Sequence, residues 1–158
     1  MTEEITSSKL FNSFAVFREL LTGISALSTL NPRWAEDKHY YEDLPNTKAI
    51  NFKGFPFINI DTEMNDEIKS LDGMKQMFYS TTINIYTDYF VEKEIVKLNS
   101  YLQAVAYYLN ANRETLRNTY DIFNLQITKS RERDSIDQKE LVVGSLTLTY
   151  TVMLNVNS

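Results

Sequence analysis

The stretch Lys139–Asn155, KELVVGSLTLTYTVMLN, decides how this chain folds. Its even positions Val142, Leu146, Leu148, Tyr150, Val152 and Leu154 are apolar, and Ser145, Thr147, Thr149 and Thr151 stand between them. Successive side chains on a strand point to opposite faces, so a period of two predicts a strand with one buried face. About 15 residues at ~3.3 Å each span roughly 50 Å. A folded chain of this length has a radius of gyration of roughly 15 Å and a diameter of about 40 Å. The strand is therefore expected to run out past the body and to meet another subunit.

Working back from it, Ile122–Lys129 predicts a partner strand with Phe123, Leu125 and Ile127 inward. The polar run SRERDSIDQ (Ser130–Gln138) reads as the connector of an antiparallel hairpin, longer-looped than the commonest two-residue type. Upstream, Asn112 is expected to cap a short helix ending near Tyr120. A longer helix precedes it, from Asp88 as cap to about Asn110, with Ile95, Leu98, Leu102, Val105 and Leu109 as its inner stripe. Lys75–Asp88 reads as a strand with Met77, Tyr79, Thr81, Ile83 and Ile85 on one face, entered by a turn at Asp72-Gly73. Phe55–Ile60 reads as another strand, with Pro56 at its start or at a sheet edge.

The first helix is expected over Ser8 to about Leu30. Phe11, Val16, Leu20 and Leu27 widen its stripe of Leu10, Phe14, Phe17, Leu21 and Ile24 beyond half the circumference. Such a helix is either central or has a second face on a neighbouring chain. Asn31–Gly54, with turn signals at Asn31-Pro32 and Leu44-Pro45-Asn46, is an irregular loop or small hairpin expected at an interface, with Lys48–Lys53 as a possible short strand. The order of elements predicts one α+β domain over residues 1–158: a mainly antiparallel sheet, helices on one face and a long C-terminal β-hairpin.

Composition narrows the function. The chain has 158 residues, 43% of them hydrophobic, with 4 Gly and 3 Pro, which is globular and not disordered. A net charge of −5 speaks against a whole-surface attraction to nucleic acid or anionic lipid. The absence of cysteine excludes disulfides and thiolate metal sites and favours an intracellular origin. The start MTEEITSSK lacks a signal-peptide pattern, and no apolar run approaches membrane-spanning length, so the reading is a soluble protein without a membrane.

No nucleophile elbow, phosphate-binding glycine loop or zinc-protease motif occurs, and there is one histidine, His39. Glu36, Asp37, His39, Glu42 and Asp43 match no ligand spacing and read as a solvated loop. Asp61, Glu63, Asp66 and Glu67 follow a strand without a partner base and read as an acidic loop. Neither catalysis nor a cofactor is expected. Arg131, Glu132, Arg133 and Asp134 alternate in sign, which serves solubility or complementary pairing with a neighbour. The tyrosines, 10 in all, suit an interface or partial core, among them Tyr40, Tyr41, Tyr101, Tyr107 and Tyr108.

The helix FNSFAVFRELL, the strand FPFINI, the unit STTINIYTDYFVEKEIVKLNSYLQAVAYYL and the hairpin IFNLQITKS to LVVGSLTLTYTVML together resemble the tail terminator, or tail-to-head joining, proteins of long-tailed bacteriophages. The resemblance runs from Phe11 to Asn155 and rests on order and length of elements more than on an invariant signature. It implies a virion structural protein that forms a ring, typically hexameric, at the head-proximal end of the tail tube. Such a ring ends tube polymerisation and joins the tail to the head connector. Its partners would be further copies of itself, the tail tube protein and a head–tail connector or neck protein. A hexamer of a chain at −5 carries about −30, so DNA would pass without sticking. The lumen-facing candidates are Asp61, Glu63, Asp66 and Glu67, and the contact candidates are Arg131–Asp134 with the loop of Tyr40 and Tyr41. Another neck or tube component is the nearest alternative. A nucleic-acid-binding α+β module is the more distant one, since no aromatic-plus-basic strand face is evident.

Overall fold

The computed structural model describes residues 11–71, 74–136 and 138–155. Within these, the chain is an α+β fold around a five-stranded sheet in the order β1-β2-β3-β5-β4. The strands are β1 (Tyr40–Tyr41), β2 (Phe57–Leu71), β3 (Met74–Asp88), β4 (Ile122–Ile136) and β5 (Lys139–Asn155). All neighbours are antiparallel except the short β1–β2 pair, which is parallel. The helices are α1 (Ser13–Thr22), α2 (Ser25–Leu30), α3 (Glu92–Ala111) and α4 (Arg113–Tyr120). None of them is long and apolar enough to cross a membrane.

The even face of β5 is buried as its period requires: Val142, Leu146, Leu148, Tyr150 and Val152 lie under the helices with Ile83, Ile85, Leu98, Leu102 and Val105. The side chain of Leu154 lies outside the described residues. At the start of β5 the opposite face is buried too. Leu141 and Val143 pack with Phe57 and Tyr86, and Tyr41, Phe52, Phe55 and Ile136 close over them. The expectation of a single buried face fails there, because the 42–56 segment folds across that end of the sheet.

Four further expectations are corrected. The first helix is two helices, broken after Thr22 at Gly23, a poor helix former. Its broad apolar stripe is absorbed within the chain: Phe17, Leu20, Leu21, Ile24 and Leu27 are buried, and Phe11, Phe14, Val16 and Leu30 pack against them. Asp88 does not cap α3, whose cap is Val91. Its carboxylate instead accepts from the Phe90 amide at 3.0 Å and pairs with Lys139 at 2.8 Å. The acidic run after Ile60 is strand, since β2 continues to Leu71 with a bulge between Asn65 and Ile68. The run Ser130–Ile136 is also strand, and Ile136 stands opposite Lys139, so this polar run is not a long connector. The Asp72-Gly73 turn lies outside the described residues.

The projecting arm is also not the expected one. β5 ends its pairing with β3 at Leu141 opposite Asp88, so the β4–β5 turn stands only a few residues beyond the sheet. At the other end β2, β3 and β5 continue past the row of Tyr79 and Tyr150, against which Phe11 packs at 5.2 and 5.9 Å. Met77 still packs on the core opposite Val152, so the extension beyond it to Met74 is about 10 Å. β4 begins only at Ile122, opposite Val152. A bulge between Phe123 and Gln126 puts Ile122 and Leu125 into the core and turns Phe123 away from it.

The irregular segment is held by Trp34, in a 3-10 turn over Pro32–Ala35. Its ring meets Tyr101 of α3 edge-on at 5.5 Å and Tyr40 at 6.2 Å. Arg33 clamps the far end by donating to the carbonyls of Pro56 at 2.5 Å and Lys53 at 3.2 Å. Lys48–Lys53 forms turns instead of a strand, and Gly54, at φ +83°, supplies the left-handed residue that leads into β2.

Candidate functional site

Two groups of candidates, read separately from the sequence, are sorted by the sheet into one surface. Along β4 and β5 the register sets Arg131 opposite Gly144 and Arg133 opposite Val142, on the helix-covered side. Glu132 stands opposite Val143 and Asp134 opposite Leu141, on the other side. The period of two thus sends the guanidinium groups to one face and the carboxylates to the other. Arg133 lies over the Tyr89 ring at 4.2 Å and pairs with Glu140 at 3.3 Å. Glu132 and Asp134 are not at the end of an arm, as expected, but beside the sheet's body.

On the helix-free face these carboxylates join Asp61 and Glu63 of β2, both exposed. Tyr86, between them, has its hydroxyl pKa raised first by burial and then by the charges of Asp134, Glu132 and Asp61. A polar ladder crosses the face beside it. Asn59 donates to the carbonyls of Tyr41 and Glu42 at 3.2 and 3.0 Å, Asn84 donates to Asn59 at 3.1 Å, and Ser145 donates to Asn84 at 2.5 Å. Beyond the ladder the surface is uncovered and uncharged apart from the acids: Ser80, Thr82 and Thr147 are half-buried, and Gln126, Thr128 and Thr149 are exposed. Among the described strand side chains of this face the lysine is Lys139, held by Asp88 at 2.8 Å, and Lys48 of the segment that folds across this end lies exposed beside it. Asp66 and Glu67 fall at the β2 bulge, and their side chains lie outside those described.

The two tyrosines of β1 differ in burial. Tyr40 is 5% exposed, and its hydroxyl donates to the Trp34 carbonyl at 2.6 Å, with its pKa raised by burial. It is core. Tyr41 is half-buried against Phe57, edge-on at 5.4 Å. Tyr101 is core as well, its hydroxyl donating to Glu94 at 2.8 Å and its pKa pushed up to about 12 mainly by burial. Tyr107 is the one of the helical three that is broadly exposed.

Both sheet edges are open among the described residues. β1 covers β2 only at Ile58 and Asn59, and β4 has a strand only on its β5 side. Beside the open edge of β2 lies a groove of about 600 Å³ with Phe14, Ile60 and Tyr79 as floor and Glu42, Asp43 and Asp61 as rim. Sequence reading missed Glu42 and Asp43 as rim residues because their placement depends on β1, a strand of 2 residues.

Around His39 no group of three or more His, Asp and Glu that could hold a metal ion converges among the described residues. Its Nε2 lies 3.1 Å from Glu36, and its Nδ1 is buried without a partner. Burial and then Arg33 hold its pKa below the ordinary value, against the pull of Glu36. The unfolded chain therefore takes up this proton more readily, and the stability due to neutral His39 is lost as pH falls below about 6.5. Urea unfolding between pH 7.5 and 5.5 should show a loss of at most about 1.4 kcal/mol per pH unit from this group, and His39→Gln should flatten that slope. An unchanged slope in the variant would refute the assignment.

No protein-family model matches this chain, and no curated protein matches it significantly.

Proposed function

We propose that this protein is a non-enzymatic virion subunit that forms a ring at the head-proximal end of a phage tail tube, stops tube growth and joins the tail to the head connector. The observation that carries the proposal is the charge sorting. A sheet face with Asp61, Glu63, Glu132 and Asp134, hydroxyl groups between them and its described strand lysine, Lys139, paired with Asp88 suits the wall of a channel for DNA. Duplex DNA carries one negative charge per ~1.7 Å, and it binds proteins chiefly by releasing counterions to Lys and Arg. A wall whose carboxylates outnumber its cations offers little such gain, so the polyanion slides. The uncovered face and the two open edges support association with further copies, and the arm of β2, β3 and β5 supports contact with the tube or the neck.

Titration with duplex DNA at low salt tests the wall. No binding is expected for the native protein, and salt-sensitive binding should appear when Asp61 and Glu63 are both changed to Lys. Native binding that weakens linearly with the logarithm of salt would overturn the proposal in favour of a nucleic-acid-binding module.

A further inference from the structure

The outer face of α3 is almost free of charge. From Val96 to Ala111 the helix carries one charged residue, Lys97, which is half-buried and donates to the Leu30 carbonyl at 3.3 Å. With Leu98, Leu102, Val105 and Leu109 buried, a repeat of 3.6 residues turns Val96, Ser100, Gln103, Tyr107 and Ala111 to solvent. Val96 is 70% and Tyr107 76% exposed. Beside this stripe lies a groove of about 470 Å³ between α3 and the α1–α2 junction, with Gly23, Ser25, Ala26, Ser100 and Ala104 among its walls.

We infer that this face pairs with the same face of a second copy, α3 lying antiparallel to α3 about a two-fold axis between Gln103 and Ala104. The inference goes beyond the ring reading, since the contact lies on the helix side, away from the acidic sheet face, and closes with two copies. The stripe suits its own image in charge. A chain at −5 repels its own kind, and a two-fold contact brings a surface against itself. On the sheet face that would set Asp61, Glu63, Glu132 and Asp134 against carboxylates. On α3 it sets no charge against its like.

It also suits its image in size. About this axis Tyr107 of one copy stands level with Ser100 of the other, Val96 with Ala111, and Gln103 with Ala104, so each large side chain meets a small one. The sideways order agrees. Gln103 lies toward the β4 side of the stripe, where Asn99 accepts from Lys129, and Ala104 lies toward the groove, and the axis exchanges the two sides. Other axes fail. One through Tyr107 sets that ring against itself, and one through Ser100 brings Lys93 level with Tyr107 and Lys97 level with Gln103. The contact from Val96 to Ala111 is about 22 Å long, and each Tyr107 sits at the mouth of the other copy's groove as its aromatic anchor.

Two kinds of variant of the full chain test this, at exposed positions whose replacement leaves the core alone. Self-association is followed by sedimentation velocity and native mass spectrometry up to about 1 mM. Ser100→Glu and Tyr107→Lys should each need at least about tenfold more protein to pair than the native chain, because an unpaired charge then enters the contact. Mixed in equal amounts they should form heterodimers, since the new carboxylate of one stands beside the new ammonium of the other. The chain has no cysteine, so a single introduced thiol reports position. Gln103→Cys, beside the axis, should form a disulfide dimer under oxidised glutathione, whereas Val96→Cys, roughly 22 Å from its own image, should not. A native chain that stays monomeric would overturn the inference and leave the groove to a different protein. Variants that pair like the native chain, a mixture without heterodimers, or equal cross-linking at both positions would overturn it too. Closed rings in which Gln103→Cys does not cross-link would sink the α3 contact and leave the ring reading standing.

Discussion

Replacing Trp34 with Ala is expected to lower the stability of the fold by about 3–5 kcal/mol, the range for emptying a fully buried large aromatic site. Trp34 is 0% exposed and is the only tryptophan. It joins three parts: the 3-10 turn that carries it, α3 through Tyr101, and β1 through Tyr40, whose hydroxyl donates to its carbonyl. The indole contributes chiefly by volume and ring contact. Trp34→Phe should therefore cost clearly less than Trp34→Ala. Urea unfolding followed by circular dichroism measures both. Equal midpoints for the native chain and the Ala variant would refute the anchoring role.

Gly144→Val should destabilise by about 3 kcal/mol, at or beyond the upper end of ordinary overpacking. A Cβ at this position would lie 2.8 Å from Leu102 Cδ1 and 2.9 Å from Leu98 Cδ1. Both leucines are buried, at 1% and 0% exposure, so neither end can swing into open space and α3 itself must lift. The glycine sits in unbroken pairing with Ile85 and Arg131, so it marks a close approach of helix to strand. Leu98→Ala in the same chain should recover part of the loss. A double-mutant cycle reads this as a coupling energy between the two positions, and strict additivity would show that α3 does not press on Gly144.

How far the sequence could be read depended on whether an element has an apolar face. β5, β3 and α3 each bury one regular stripe, and their periodicity located them within a few residues. The second halves of β2 and β4 have no such stripe. Asp61–Leu71 and Ser130–Ile136 are strands at open edges, held by backbone ladders to β3 and β5, and a search for hydrophobic alternation passes over them as loops. The signal was present in another form, because the alternating signs of Arg131, Glu132, Arg133 and Asp134 are themselves a period of two. Taken as a strand, that run foretells the sorting of charges that defines the candidate surface. The path of Asn31–Gly54 was not legible in this way. It is set by Trp34 and the Arg33 clamp, contacts with residues of α3 and with the approach to β2 that no local propensity announces.

Single-particle imaging of the assembled protein tests most directly whether this chain builds a channel. The expected particle is a closed ring with a central hole, the sheets turned inward so that Asp61, Glu63, Glu132 and Asp134 line it, and α1 and α3 on the outside. A chain that forms no closed ring at any concentration, or a ring whose hole is lined by the helices, would contradict it.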